Sequence, residues 1–287
     1  MVKFSSLSFL ILGLLVFPAC DKNILSPINK TEGFENTPTE NSLKPIIEEV
    51  SGIADSKVNP GKLWVQEDSG RPNQIQFVEH TGKVITKITV KGTVNRDWED
   101  MALSGTDLFI GDIGDNDSKY PEYSFYQFAE PTLATDTVRD VKTIRFQYPD
   151  GSHDAEAFIV DPQTKNIYII TKRDNPGKLY QITYPYNYTA VNQAILVGST
   201  KYTGIVSAAV SPDGQEMLLK SYASLYYYKR SGNESILEAL QKDFTNLPYN
   251  IEPQGEAVTF AADNSGIFTL SEKGLATTVN LNFYKRK

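Results

Sequence analysis

The chain has 287 residues and a formal net charge of −7, from 28 Lys and Arg against 35 Asp and Glu. No basic cluster offsets that acidity, which argues against nucleic acid as a partner and gives no electrostatic pull toward anionic lipid. The single cysteine excludes an intramolecular disulfide, so stability must come from an apolar core or from bound metal.

In chain order, the first element reads as an export signal. Lys3 is the only charge before Asp21, and Phe4–Phe17 is a nearly uninterrupted apolar run. A bilayer crossing needs about 20 apolar residues, so this run suits the apolar core of a signal peptide over residues 1–19. Phe17-Pro18-Ala19-Cys20 then resembles the lipobox of bacterial lipoproteins. The resemblance implies that Cys20 is lipidated and anchors the protein to the outer membrane of the cell envelope, on its periplasmic or its surface side. An ordinary cleaved signal with an incidental cysteine is the alternative. Loss of residues 1–19 removes only Lys3 and leaves a charge of −8. Residues 20–42 are rich in Asn, Thr, Pro and Glu, too polar to order themselves, and read as a flexible tether.

Residues 43–287 carry an internal repeat, and the repeat decides the fold class. Five segments share one plan, a short apolar strand, a turn, and a second strand ending in polar residues. They are Val50–Ala54 with Lys62–Asp68, Trp98–Ala102 with Leu108–Asp112, Ala155–Ile159 with Ile167–Arg173, Val206–Val210 with Met217–Ser221, and Gly255–Thr259 with Ile267–Glu272. The matching positions Ser51, Glu99, Glu156, Ser207 and Glu256 are spaced by 48, 57, 51 and 49 residues. A blade of four antiparallel strands takes about 40 to 50 residues. The expectation is therefore an all-β propeller of five blades. Thr277–Lys285 reads as the third strand of the last blade, and Leu43–Glu49 as the fourth, which closes the ring and protects the sheet edges. One inserted helix is expected over Glu234–Phe244, with Ile236, Leu237, Leu240 and Phe244 on one face.

Glu99-Asp100-Met101-Ala102, Gln254-Gly255-Glu256-Ala257 and Leu270-Ser271-Glu272 resemble the SdiA-regulated family of small periplasmic β-propellers. Asp97-Trp98-Glu99-Asp100 and Gly111-Asp112-Ile113-Gly114-Asp115-Asn116 are more loosely similar to secreted propellers with calcium-dependent, phytase-like and esterase-like members. The likeness implies a propeller fold over residues 43–287 and calcium in its channel. It implies no reaction, since propellers host many functions.

Equivalent positions of a propeller lie on rings about one axis. The ring of Ser51, Glu99, Glu156, Ser207 and Glu256 brings three carboxylates toward one space, where they repel unless a cation or protons intervene. A hard cation with oxygen ligands, Ca²⁺, suits such a ring; the competing role is that each Glu staples backbone amides of the next blade. Asp112 and Asp115 lie in an Asp/Asn-rich loop and are candidate calcium ligands, although the EF-hand pattern fails there and ordinary turn chemistry explains the composition equally. The ends of the second strands supply a mixed-charge rim for a small ligand: Glu67, Asp68, Asp112, Lys172, Arg173, Lys220 and Glu272. That rim also reads as paired, solvated charge.

No Gly-x-Ser-x-Gly elbow, His-Glu-x-x-His, Cys nucleophile or phosphate loop occurs. The leading expectation is a calcium-stabilised binding module for a small ligand or a protein. The competing one is a metal-assisted hydrolase of phosphate esters, lactones or esters, with Lys172 and Arg173 holding the anion and His153 or Glu156 moving protons. Tyr184–Tyr188 and Tyr226–Tyr228 read as packing between blades rather than as a partner surface.

Overall fold

In the computed structural model, residues 33–287 are described. The expected export signal and Cys20 lie outside them, as does most of the expected tether. The described chain is almost entirely β, in five sheets of four or five mostly antiparallel strands. Their inner strands are Val50–Asp55, Trp98–Ser104, Ala155–Val160, Ile205–Val210 and Ala257–Phe260. Each inner strand packs against the next and the fifth against the first, so the sheets are the blades of a five-bladed propeller.

Burial falls off from the axis outward. Val50–Asp55 and Ala155–Val160 are buried along their whole length because neighbouring blades cover both faces, so they read as continuous apolar runs. The outer strands Val84–Val90 and Lys142–Gln147 alternate between core and solvent. Among the described residues the core divides into five clusters, one in each interface between blades. Two outer edges are covered by a neighbour: Thr137–Val138 adds parallel to blade 1, and Asn192–Gln193 parallel to blade 2.

Ring closure differs from expectation in one detail. The strand that completes blade 5 is Thr39–Ser42, antiparallel to Asn280–Lys285, whereas Leu43–Glu49 runs on as a connection with Leu43 and Ile47 buried. Phe34 is buried too and bridges to Arg286, so the propeller takes in part of the stretch expected to be tether. A polar strand such as Thr-Glu-Asn-Ser escapes a hydrophobicity reading because it sits at an outer edge and buries little. The helix is Ile236–Gln241, shorter than expected. Ser235 caps it and forms a capping box with Glu238. Past Lys242 the backbone is extended, and Phe244 stacks edge-on against Tyr202 and Tyr226. The Tyr226–Tyr228 run is interblade packing, as expected; Tyr186 is buried against Phe109 while Tyr184 and Tyr188 stay half exposed.

Bulges at the starts of the inner strands set the geometry of the channel. The register slips by one residue between Val50 and Gly52, Trp98 and Asp100, Ala155 and Ala157, and Ile205 and Ser207. The inserted residues are Ser51, Glu99, Glu156 and Val206, and in blade 5 Glu256 holds the matching place just before Ala257. Ser207 was expected in this ring. It belongs one tier deeper, level with Asp100, and Val206 takes the ring position.

Candidate functional site

A bulge re-aims a side chain out of the ladder, and here bulges turn Glu99 and Glu156 toward one mouth of the channel, where Glu256 of blade 5 joins them. One tier below, Asp100 closes the channel. It is wholly buried, and its carboxylate reaches from blade 2 to blade 4, accepting from Ala208 N at 3.0 Å, Ser207 Oγ at 3.2 Å and Met101 N at 2.9 Å. Burial still holds its carboxyl well above the usual range. The stapling role expected of the ring glutamates is performed by this aspartate.

At the mouth, a hydrogen-bonded chain crosses three blades. Lys172 Nζ donates to Glu156 Oε1 and, at 3.2 Å, to Tyr222 Oη, which donates to Glu256 Oε1 at 2.5 Å. Glu156 is 4 % exposed, yet its Oε2 has no hydrogen-bond partner. Ser51 Oγ donates to the carbonyl and carboxylate of Glu99. Gly114 lies against that carboxylate: a Cβ there would overlap Glu99 Oε1 and the Asp97 carboxyl. Glu49, Asp97 and Asp154 immediately precede the inner strands of blades 1 to 3 and form a further acidic tier. Among the described residues, Glu49, Asp68 and Glu272 bring one carboxylate oxygen each within 4.8 Å of one another.

Five carboxyls of this mouth are hard to ionise. Burial pushes Asp68 up to about 7, with Glu49, Glu256 and Asp97 reinforcing it. Asp97 rises to about 6, chiefly through burial. Glu156 rises to about 8, burial and Glu256 outweighing Lys172, and Glu272 to about 9 through burial and the adjacent Glu256. Glu99 lies well above its ordinary value through burial and the field of Glu156, Asp97 and Glu256. One face thus gathers carboxylates from blades 1, 2, 3 and 5, with Lys172 bonded to Glu156, Arg71 to Glu49 at 3.1 Å and Arg173 to Asp154. Such a site holds protons or takes up a cation.

The other expected site residues are used differently. Glu99, Glu156 and Glu256 share the mouth, but the compact group of three is Glu49, Asp68 and Glu272, from the ring-closing connection and the second-strand ends. Asp112 accepts from Asp97 N at 2.8 Å, and Asp115 from Tyr120 N and Tyr123 Oη at 2.8 Å each. Both thus hold their own loop through these bonds, while Asp115 Oδ1 is buried without a hydrogen-bond partner. Arg173 donates to Asp154 at 2.6 Å and to Asn116, and Glu67 accepts from Gln76 at 2.7 Å. Lys220 is not on the rim at all. It is wholly buried between blades 4 and 5, donating to Tyr249 Oη at 2.8 Å and to Gly255 O, and burial lowers it to about 8. His153 is held by Asp174, Asp150 and Tyr180 at 3.0, 3.1 and 2.9 Å. By register, Thr171 occupies the second-strand ring position and Lys172 follows it. Asp97, Asp100, Glu49 and Tyr222 were not anticipated. The repeated acid before the inner strands was the available signal.

No family model matches the chain, and no curated protein matches it. Solved structures of similar shape include a luciferin-regenerating enzyme, 15 % identical over 84 % of this chain and 78 % of that one with a TM-score of 0.48. Another is the hydrazine synthase of Kuenenia stuttgartiensis, 12 % identical over 80 % of this chain and 70 % of that one, with a TM-score of 0.38.

Proposed function

We propose that this protein is a binding module of the cell envelope whose channel mouth takes up Ca²⁺ and, with it, a small ligand or a protein segment. One observation carries the reading: Glu156 Oε2 is buried without a partner among carboxylates that burial and mutual repulsion keep from ionising. An all-oxygen donor set of this kind matches a hard cation. A hydrolase has less support, because Lys172 and Arg173 are bonded to Glu156 and Asp154 and His153 to Asp150 and Asp174, which leaves neither a free anion clamp nor a free base. Affinity with the SdiA-regulated propellers belongs to the same reading.

Calorimetric titration with Ca²⁺ tests it. Wild type is expected to bind and to gain thermal stability, and Glu156→Gln to lose at least tenfold in affinity while remaining folded. Absence of both heat and stabilisation in wild type ends the calcium reading. Anchoring through a lipidated Cys20 is part of the proposal; incorporation of labelled palmitate is expected in the wild-type chain and lost in Cys20→Ala. Equal labelling of the two would refute it.

A further inference from the structure

At the opposite end of the first inner strand from Ser51, a cavity of about 470 Å³ lies at the seam between blades 1 and 5. Sheet register builds one wall. Phe268 pairs with Phe283 and Phe283 with Thr39, so the three side chains stand in one row, and Asn41, two residues on from Thr39, shares their face. From blade 1, His80 packs on Phe268 with ring centroids 4.5 Å apart, and Phe268 on Phe283 at 4.6 Å. Three rings thus form a continuous strip. Phe268, its middle ring, is buried, and Phe283 and His80 at its two ends are partly exposed.

The polar groups around this strip are mostly acceptors. Asp55 spends both carboxylate oxygens inside the protein, one on His80 Nε2 at 2.6 Å and one on Ala262 N at 2.7 Å. With Nε2–H committed to Asp55, Nδ1 is the acceptor in the corresponding single-proton tautomer of His80. Asn41 gives Nδ2 to the carbonyl of His80 at 2.9 Å and keeps Oδ1. Among the described residues, His80 Nδ1, Asn41 Oδ1 and Thr39 Oγ1 make no side-chain hydrogen bond. Lys57 turns its ammonium to Gly105 O at 3.3 Å, so no cation is aimed inward, and Asp263 at the rim repels anions.

We infer that this seam cavity is a second binding site, for a neutral sugar ring whose C–H face lies on Phe283 and His80 and whose hydroxyls donate to Nδ1 of His80 and Oδ1 of Asn41. The dimensions agree, since small-molecule sites span about 300 to 1,000 Å³. An amine would share the aromatic strip and the field of Asp263, but Asp55, with both oxygens taken, gives it no ion pair within the cavity. An acidic sugar meets acceptors and Asp263.

The test is saturation-transfer NMR and calorimetry on the full chain, with neutral hexoses and their disaccharides, choline as cation and glucuronate as anion. Neutral sugars are expected to bind, with choline and glucuronate silent. Phe283→Leu keeps apolar volume and Thr39→Val keeps shape; each is expected to weaken sugar binding about threefold to tenfold at an unchanged melting temperature. Calcium titration at the other mouth should stay as in wild type in both variants. Silence of wild type toward every neutral sugar, binding of choline alone, or sugar binding undiminished in both variants would each overturn the assignment.

Discussion

Asp100 and Glu156 are both carboxylates buried beside the propeller axis, one tier apart, and they are solved in opposite ways. Asp100 is surrounded by neutral donors from two blades and needs nothing further. Glu156 shares its space with other carboxylates, has one cationic neighbour bonded to it, and leaves an oxygen unmet. Buried polar groups in proteins are almost always satisfied, and each exception calls for a reason. The deeper tier is therefore structural, and the mouth is arranged for something that arrives from outside.

The sharpest way to break the comparison is to remove Asp100. In Asp100→Ala the buried amides of Ala208 and Met101 lose their acceptor. Each orphaned donor costs about 1–3 kcal/mol, so a loss of about 3 kcal/mol or more is expected in urea denaturation, with Asp100→Asn about half as costly. A change within about 0.5 kcal/mol of wild type would show that the axial carboxylate does not tie the blades together.

How far this contrast was legible in the sequence depended on the bulges. Repeat spacing gave the number of blades and the order of their strands, because each blade is a local unit whose apolar period is written in its own residues. Period-two alternation then assigns one inward residue per turn of the pleat. A bulge turns two consecutive residues inward, which is why Glu99 was placed at the axis and its neighbour Asp100 was not. The same one-residue step put Ser207 in a ring that Val206 occupies. Lys220 was misplaced for another reason. At the end of a strand a lysine reads as rim, yet Tyr249, Gly255 and Glu252 come from the far side of the helical insertion to enclose it. Side chains supplied by distant segments leave no local trace.

A smaller effect is the response of stability to pH, to which the raised Asp100 also contributes, so that the two tiers part in how Ca²⁺ changes it. At the mouth, Asp97, Asp68, Glu156 and Glu272 titrate near 6, 7, 8 and 9 in the folded chain, against about 4 when unfolded. Between about pH 4 and 8 these groups make the folded state hold more protons than the unfolded one, and linkage requires stability to fall as pH rises; above about pH 8 the lowered Lys220 works against them. The expected result in chelator is a melting temperature that declines steadily from about pH 5 to pH 8. Saturating Ca²⁺ should flatten that decline, because the cation replaces the protons and binds more tightly as they leave. Glu99→Gln should flatten it too, even in chelator, since it removes a charge that repels Glu156 while its amide oxygen still accepts from Ser51. A melting temperature that rises over this range in chelator, or the same slope with and without Ca²⁺, would mean that the acidic mouth is no different in kind from the satisfied carboxylate beneath it.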